Sequence, residues 1–413
     1  MNKSVYKRET CRLCGGNNLK MVLPLTPTAL CDAYVSRDRA GIIQETYPLE
    51  LFMCLDCGYV YLPYVVDPET IYRDYLYVTT SSMGLSDHFK ESAEELLYRI
   101  KPAKNSLVVD IGSNDGTLLN FFKLKGMRVL GIEPSKDIAK KATLSGIETL
   151  PEFFTTKLAD KIGNEYGHAT IITVNNLFAN IDDLDEFTEG IHKLLAPDGV
   201  LVIESSYLGD IIKNMIFDFI YHEHLSYFSV KPLITFFRRF NMELFDIERI
   251  PTKGGSLRYY IQLSGGSRPI SSSVAYMEEY EDQNDLYSMK TYDAFSKKID
   301  ELKNQLVSKL LEFKADGKSI VGYGGSATST TLLYHFGLSE MIDYIVDDNP
   351  AKQNTFSPGY HIPVLPSDVI YEKKPDYVLI LAWRYAGPIM KQHQAYLEQG
   401  GHFVIPLPIM KVI

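Results

Sequence analysis

The segment LVVDIGSNDG, residues 107–116, constrains the fold more than any other part of the chain. An apolar run ends at Asp110 and leads through a glycine-containing turn into residues 117–122, where apolar side chains recur at helical spacing. Gly112 permits a positive φ, and Asn114 tolerates a left-handed backbone better than most residues. The pattern predicts a strand, a tight turn and the N-terminal end of a helix.

The charge of this turn indicates its ligand. Nicotinamide and flavin sites also use a glycine turn, but the negative charges of Asp110 and Asp115 would repel the pyrophosphate of those cofactors. The same charges would attract a cationic sulfonium ligand. Glu133 ends a second apolar run, where an acid can accept both ribose hydroxyls. The spacing Asp-x-Gly-x-Asn-x-Gly resembles the first motif of class I S-adenosylmethionine (SAM) methyltransferases. The residues expected to hold SAM are Asp110, Gly112, Asn114, Asp115, Glu133 and Asn175. The alternatives are that this turn binds another nucleotide or that it is a structural turn without a ligand.

Strand-like and helix-like segments alternate after this motif. Buried apolar runs at 169–174 and 200–203 end in Asn175 and Glu204. Alternation of this kind predicts a parallel, doubly wound sheet, whose ligands bind at the carboxyl ends of its strands. Asp110 and Glu133 lie at equivalent ends, so these polar side chains are expected to share one edge of the sheet.

Four of the five cysteines form two Cys-x-x-Cys pairs, each followed by glycine. Two residues between thiolates suit a single tetrahedral metal, and four sulfur ligands leave no open position for catalysis. The pairs therefore predict a structural zinc ion in a reducing compartment, bound by Cys11, Cys14, Cys54 and Cys57. Cys31 is expected to pack as a small apolar residue rather than to act as a fifth ligand.

Length and charge limit the classes of function. A chain of 413 residues is expected to form two or three domains. Its 52 acidic against 42 basic residues give a net charge of −10, which argues against a nucleic-acid partner. The first residues lack the apolar core of a signal peptide, and no apolar run reaches membrane-spanning length. We expect a cytoplasmic protein with no membrane partner.

A short run at 219–228, FIYHEHLSYF, carries two histidines, an acid and two tyrosines. So many titratable groups are costly to bury without a use, so the run is a candidate substrate site. The His-x-His pair suggests metal, but the run is not the His-Glu-x-x-His zinc helix, and a packed histidine cluster is the other alternative. Residues 72–82 are rich in hydroxyl groups, which fits either a lid over a polar substrate or tyrosines packed on the next domain.

A second nucleotide-type turn lies near residues 319–331. A short apolar strand leads into a turn of small residues that opens a helix, and backbone N–H groups at a helix N-terminus form an anion site. This turn contains no acid, which suits a diphosphate. A purely structural second α/β domain is the alternative. Between the two domains, apolar residues from Phe295 onward recur at three- and four-residue steps and predict an amphipathic connecting helix.

Taken together, these motifs resemble the NDP-sugar C-methyltransferases, the TDP-deoxysugar C-3 enzymes. The likeness spans nearly the whole chain: both cysteine pairs, VVDIGSNDG, the run at 219–228, the Gly-Gly-Ser-Leu-Arg sequence at 254–258 and the C-terminal domain. It implies a zinc-binding lobe at 1–78, a class I SAM methyltransferase domain at 79–268 and a Rossmann-like, sugar-nucleotide-binding domain at 269–413.

The resemblance also implies roles for individual residues. His224 matches the proposed base, and Tyr221 and Glu223 match supporting catalytic positions. Two residues depart from the pattern, because some members carry histidine where this chain has Asn180 and Lys253. The implied substrate-binding residues are Tyr75, Tyr77, Asn180, Arg258, Tyr323, Ser326, Asp347 and Trp383.

The function implied is SAM-dependent C-methylation of a nucleotide-diphosphate 4-keto-deoxysugar, TDP-linked and at C-3, through an enolate. The alternatives are O- or N-methylation of a similar nucleotide sugar, or a SAM-fold binding protein without catalysis. The net charge disfavours an RNA methyltransferase. The expected state is a monomer or a weak homodimer.

Overall fold

The N-terminal lobe is a small antiparallel sheet that carries the cysteine pairs. A computed structural model of the protein describes residues 5–72 and 84–413. The elements before residue 73 are β1 (Val5–Lys7), β2 (Leu19–Thr28), β3 (Tyr47–Cys54), β4 (Val60–Tyr61), β5 (Tyr64–Val66) and α1 (Pro68–Tyr72). Fully and partly buried residues alternate along β3, as in a strand that places one face on a core.

A seven-stranded sheet forms the central domain. Its first half contains α2 (Leu85–Ile100), β6 (Leu107–Ile111), α3 (Thr117–Leu124), β7 (Arg128–Ile132), α4 (Lys136–Leu144), β8 (Thr149–Leu150), α5 (Thr156–Tyr166) and β9 (Ala169–Asn175). The second half contains α6 (Leu184–Leu194), β10 (Leu195–Ser206), α7 (Leu208–Lys213), β11 (Ser226–Tyr227), α8 (Val230–Arg238), β12 (Met242–Ile250) and β13 (Ser256–Leu263). The strand order is β12-β13-β10-β9-β6-β7-β8, and β13 runs antiparallel to both of its neighbours.

The apolar sequence of β6 explains its central position. All five of its residues are buried. Val109 packs in one core cluster with residues of α5 and α6, and Val108 packs in a second cluster with residues of α2 and α3. Helices therefore cover both faces of the sheet, which is why Leu107, Val108 and Val109 are all hydrophobic instead of alternating with polar residues. The doubly wound sheet predicted from the sequence is confirmed.

The C-terminal domain repeats the α/β arrangement. Two helices, α9 (Ser272–Gln283) and α10 (Met289–Ala315), precede it. Its elements are β14 (Ile320–Tyr323), α11 (Ala327–Phe336), β15 (Ile345–Asp347), β16 (Thr355–Phe356), β17 (Pro363–Pro366), α12 (Val369–Lys373), β18 (Tyr377–Ile380), α13 (Ala386–Gln392), α14 (Gln394–Glu398), β19 (His402–Ile405) and β20 (Lys411–Val412). The order β16-β17-β15-β14-β18-β19-β20 has a parallel centre and antiparallel edge strands. The amphipathic helix predicted from Phe295 is confirmed, because Ile299, Leu302, Leu306 and Leu310 of α10 are all buried.

The three parts contact one another around the run at 219–228. β11, inside this run, pairs with β4 and so joins the sheet of the N-terminal lobe. Tyr34 of that lobe donates its hydroxyl hydrogen to the Gly325 carbonyl of the C-terminal domain over 2.5 Å. Thr331 of α11 donates to the carbonyl of Ile220 over 2.8 Å. The candidate catalytic run is therefore enclosed by all three parts of the fold.

The domain limits at 78/79 and 268/269 stay predictions. The first falls among residues 73–83, which lie outside the described part of the chain, and the second lies between β13 and α9. Within the described residues, none of the helices has the length and apolar character needed to span a bilayer.

Candidate active site and metal centre

The turn after β6 has the backbone geometry that its glycines require. Gly112 has φ +79° and Asn114 has φ 49°, both in the left-handed region. A Cβ atom at Gly112 would lie 2.9 Å from Cδ2 of Leu177, so a larger residue would have to displace that side chain. Asp115 accepts the Thr117 backbone N–H over 3.1 Å and its hydroxyl over 2.6 Å, which fixes the start of α3.

Two buried acids lie at the carboxyl ends of the neighbouring strands. Burial raises the pKa of Asp110 to about 7, although Thr173, whose hydroxyl lies 2.6 Å from the carboxylate, and Asn175 oppose this shift. Glu133 accepts the backbone N–H groups of Asn114 and Ser135 over 3.2 and 2.9 Å, and burial raises its pKa. The six residues expected to hold SAM thus lie around one turn and its adjoining strand ends. Their individual contacts with SAM stay predictions.

His224 is held as a neutral imidazole with a defined tautomer. Its Nδ1 lies 3.2 Å from the carbonyl oxygen of Phe219, which can only accept, so Nδ1 carries the proton. Nε2 is therefore the basic nitrogen, and it lies 3.1 Å from the hydroxyl of Tyr221. Burial, together with the nearby charge of Lys253, lowers the pKa of His224 to about 3. At neutral pH the ring can accept a proton on Nε2.

The two residues before His224 differ in their surroundings. His222 is buried, its Nε2 lies 3.3 Å from the carbonyl oxygen of Tyr47, and burial lowers its pKa to about 4. Burial raises the pKa of Glu223 to about 8, and the charge of Asp32 adds to this effect, whereas Lys253 opposes it. No protein group within residues 5–72 and 84–413 hydrogen-bonds the Glu223 carboxyl.

A narrow cleft connects His224 with the strand ends. It is lined by Asn176, Ala179, Ser205, Ser206, Phe219, His224, Ser226 and Tyr227. Asn176 follows β9, and Ser205 and Ser206 end β10, so the cleft lies at the sheet edge that also carries the turn expected to bind SAM. Asn180 ends the short 3₁₀ helix Phe178–Asn180 directly after this edge.

Arg258 lies in a buried ion pair below the cleft. Its Nη2 contacts the carboxylate of Glu204 at 2.8 Å, and His88 contacts the same carboxylate at 2.8 Å. Burial would raise the pKa of Glu204, but the hydrogen bond from His88 and the charge of Arg258 hold it below its ordinary value. Because Arg258 also contacts Glu248 at 3.3 Å, its guanidinium is already neutralised by two acids. Its direct contact with substrate stays a prediction.

The remaining predicted substrate residues lie mainly in the C-terminal domain. Tyr75 and Tyr77 fall outside the described residues. Tyr323 ends β14 and donates to Asp348 over 2.8 Å, and its oxygen lies 2.8 Å from Nε2 of His393. Asp347 accepts the Gly325 N–H over 2.6 Å, so an acid from β15 occupies part of the turn whose own sequence contains none.

Ser326 and Trp383 are the other two predicted substrate residues of the C-terminal domain. Ser326 caps α11 through a reciprocal bond with Ser329. Trp383 donates its indole N–H to Asp218 over 2.9 Å, and Arg384 contacts the same carboxylate at 3.1 Å. Sequence reasoning did not select Asp218 or Arg384. The only local signal was an acid within an aromatic sequence directly before the catalytic run.

The four paired cysteines converge on one point. Their Sγ atoms all lie within 4.8 Å of one another, with 3.7 Å between Cys11 and Cys57 and 3.6 Å between Cys14 and Cys54. A tetrahedral zinc ion with Zn–S bonds of about 2.3 Å requires ligand separations of about 3.8 Å, so the donor set fits this ion. In the described part of the chain, this is the one group of three or more potential ligands close enough to hold a metal, and Cys31 is not part of it.

The fold and these two sites define the class of the protein. A doubly wound sheet with an acidic glycine turn at the carboxyl ends of its strands is the framework of class I SAM-dependent methyltransferases, and this one carries a four-cysteine zinc centre on an added lobe. SAM and a structural zinc ion are its cofactors.

Comparison with known proteins gives the family. Residues 11–72 match a zinc binding domain, residues 86–246 a methyltransferase domain, and residues 251–408 the C-methyltransferase C-terminal domain. The chain is 31% identical over 414 residues to the C-methyltransferase NovU of Streptomyces niveus, with 100% of this chain and 99% of that protein covered. This chain therefore belongs to the SAM-dependent C-methyltransferases that combine these three domains.

Solved structures resemble part of the chain. One is a chain of the complex between the Haloferax volcanii Trm112 activator and its methyltransferase, with 16% identity, a TM-score of 0.36, and coverage of 44% of this chain and 92% of that chain. Another is a SAM-dependent methyltransferase from Clostridium acetobutylicum, with 11% identity, a TM-score of 0.36, and coverage of 48% and 96%.

Proposed function

We propose that this C-methyltransferase acts on a nucleotide-diphosphate 4-keto-deoxysugar, TDP-linked, and methylates C-3, the carbon next to the ketone. A proton on such a carbon is acidic because its removal gives an enolate. The observation that carries the proposal is the state of His224, a neutral imidazole whose Nδ1 is fixed by the Phe219 carbonyl and whose Nε2 is basic.

His224 removes the α-proton as a general base, and its surroundings prepare it for this role. The Phe219 carbonyl fixes the ring orientation and the tautomer, so the basic nitrogen does not depend on a chance protonation state. Tyr221 contacts Nε2 and orients the ring before substrate arrives. Glu223, whose pKa is raised to about 8, is protonated at neutral pH and can donate a hydrogen bond to a sugar oxygen. SAM, when bound, supplies the methyl group.

The C-terminal domain supports a nucleotide-linked substrate. Its turn at Gly324 and Gly325 opens α11 at the carboxyl end of β14, which is where α/β domains bind nucleotides. Lys352, which contacts Asp32 at 2.7 Å and donates to the Gly325 carbonyl over 2.8 Å, places a cation beside this turn. We assign the diphosphate to this side of the cleft and the keto sugar to the side of His224.

The test uses the purified full chain with SAM and TDP-4-keto-6-deoxyglucose, with UDP- and GDP-linked analogues as alternatives. Methylation of carbon, together with exchange of the α-hydrogen for solvent deuterium, is expected with the TDP sugar. H224N should lower both rates by about 10²- to 10⁴-fold while SAM binding is retained. H222N is the matched control, because His222 bonds the Tyr47 carbonyl and takes no part in the proposed step.

Three results would contradict the proposal. If H224N retained near-normal turnover with SAM bound, His224 would not be the base. A methyl group found on oxygen or nitrogen, with no deuterium at the α-carbon, would favour O- or N-methylation. Absence of any turnover with SAM bound would favour the binding-protein alternative.

A further inference from the structure

The turn between β12 and β13 carries an unusual lysine. Lys253 lies in the 3₁₀ turn Thr252–Gly254 with φ 54°, in the left-handed region. Such a backbone is uncommon for a residue with a long side chain, and strained residues of this kind cluster at functional sites. The two following residues, Gly254 and Gly255, have φ values of 91° and 133°. Lys253 is thus the first of three consecutive residues with positive φ values.

Contacts from three directions hold this turn in position. The Thr252 hydroxyl donates to Glu204 over 3.2 Å. The Asn214 side chain donates to the Gly254 carbonyl over 3.0 Å, and the Tyr207 N–H donates to the Gly255 carbonyl over 3.1 Å. Because β10 and the residues on either side of α7 all contact the turn, the position of Lys253 is fixed relative to the cleft that contains His224.

The Lys253 turn lies close to titratable residues around His224: a Cβ atom at Gly254 would lie 3.4 Å from Cδ of Arg384, and the Arg384 guanidinium lies over the Phe219 ring at 5.5 Å. The Lys253 ammonium group acts electrostatically on the carboxyls of Glu204 and Glu223, on His224 and on Arg384. Burial lowers the pKa of Lys253 to about 8, and the two carboxyls oppose this shift. In the described part of the chain, no acceptor lies within hydrogen-bond distance of its Nζ, although an ammonium group can make three such bonds.

Among the described residues, the other cations near the cleft are already paired. Arg258 contacts Glu204 and Glu248, and Arg384 contacts Asp218. Lys352 contacts Asp32. Within residues 5–72 and 84–413, Lys253 is thus a cation near His224 whose donors stay available for a ligand.

We propose that Lys253 is a catalytic residue that donates a hydrogen bond to the ketone oxygen of the sugar and stabilises the enolate oxygen that forms there. This inference rests on the proposed function. When Nε2 of His224 takes the α-proton, the C–H electron pair forms the carbon–carbon double bond of the enolate. The C=O π pair moves to oxygen, and the ammonium of Lys253 faces the negative charge.

The weakness of the base explains why a cation is needed. An imidazole whose conjugate acid has a pKa of about 3 removes an α-proton only if the product anion is strongly stabilised. The Tyr221 hydroxyl already contacts Nε2 of His224, so we assign the stabilisation of the enolate oxygen to Lys253 and not to Tyr221. A preorganised charge at the developing oxyanion, in a site with little water, is typically worth a factor of about 10²–10³ in rate.

The experiment separates proton removal from methyl transfer. Wild type and K253M are incubated with TDP-4-keto-6-deoxyglucose in D₂O with S-adenosylhomocysteine in place of SAM, and deuterium at the α-carbon is followed by NMR. K253M is expected to exchange at least about 100-fold more slowly and, in a parallel incubation with SAM, to lose methyl transfer by the same factor. K253R, which keeps the cation, should recover part of both rates. K157M, at an exposed lysine of α5, is the matched control.

A structural role would change other quantities. If Lys253 only maintained the fold, K253M would lower the melting temperature and weaken SAM binding, and K253R would not recover exchange, which would overturn the inference. K253Q is a second uncharged variant in case K253M does not fold. Wild-type exchange by K253M or K253Q would refute the role of Lys253 and leave the proposed function intact. If wild type neither exchanges nor methylates any keto sugar, the proposed function fails, and this inference fails with it.

Discussion

Asp218 connects two domains, and its replacement by asparagine tests how the catalytic run is held in place. The Asp218 carboxylate is fully buried and accepts hydrogen bonds from Trp383 at 2.9 Å and Arg384 at 3.1 Å. The next residue is Phe219, whose carbonyl fixes the tautomer of His224. The C-terminal domain therefore supports His224, the proposed base, through Asp218.

The expected cost follows from the loss of charge. Asparagine can still accept the Trp383 N–H, but it leaves the Arg384 guanidinium without its counter-charge. Removing one member of a buried ion pair costs about 3–5 kcal/mol. Because the Arg384 side chain is 17% exposed to solvent and can be hydrated, the lower value of about 3 kcal/mol applies. Such a loss makes local opening about 100-fold more frequent.

Hydrogen–deuterium exchange measures this opening segment by segment. In D218N, amides of residues 217–220 and 383–386 should exchange about 100-fold faster than in wild type, while β6 and β7 are unchanged. The turnover number should fall, and SAM affinity should stay the same. D343N is the matched control, because the exposed pair between Lys314 and Asp343 at 2.8 Å is worth about 0–1 kcal/mol. Wild-type protection of both segments in D218N would refute the reasoning.

Three further predictions concern the metal, the cofactor and pH. Removing zinc with a chelator, or replacing a ligand in C54S, should lower the melting temperature and the turnover number together. The reason is that β4 of the zinc lobe pairs with β11, which begins two residues after His224. Zinc-free protein with full turnover would contradict this prediction. SAM binding at pH 7 should release protons, because the positive charge of SAM lowers the pKa of Asp110 from about 7. Calorimetry in buffers of different ionisation enthalpy should detect this proton release in wild type and not in D110N. Because the pKa of His224 is about 3 in the folded chain and about 6.5 in the unfolded chain, the unfolded state binds more protons between these values. As the pH falls below about 6.5, the free energy of unfolding of wild type should therefore decrease by about 1.4 kcal/mol per pH unit relative to that of H224N. Denaturant unfolding that showed no such difference would contradict the lowered pKa of His224.

Local patterns in the sequence were enough to predict the elements of the fold. The turn after β6, the helix α10 and the paired cysteines depend on residues a few positions apart, and each has the predicted form. Their success has a physical reason, since backbone conformation and metal-ligand spacing are set mainly by neighbouring residues.

Contacts between distant residues were not predictable in this way. Asp218 and Trp383 are 165 positions apart, and no local pattern relates them. The same holds for Asp347, which accepts a hydrogen bond from the Gly325 N–H, 22 positions away. It thereby places an acid beside the turn at Gly325, whose own sequence contains none. Such contacts depend on how two separately folded sheets pack together.

The sequence by itself therefore determined the three-part architecture, the zinc ligands, the SAM-binding turn and the run that contains His224. Only the tertiary structure decided which charges are already paired and which stay available. Arg258, which a sequence motif placed in the substrate site, lies between Glu204 and Glu248, whereas Lys253, which departs from the family pattern, has no hydrogen-bond acceptor for its ammonium group among the described residues. Pairing depends on burial and distance between elements, and these quantities exist only once the chain has packed.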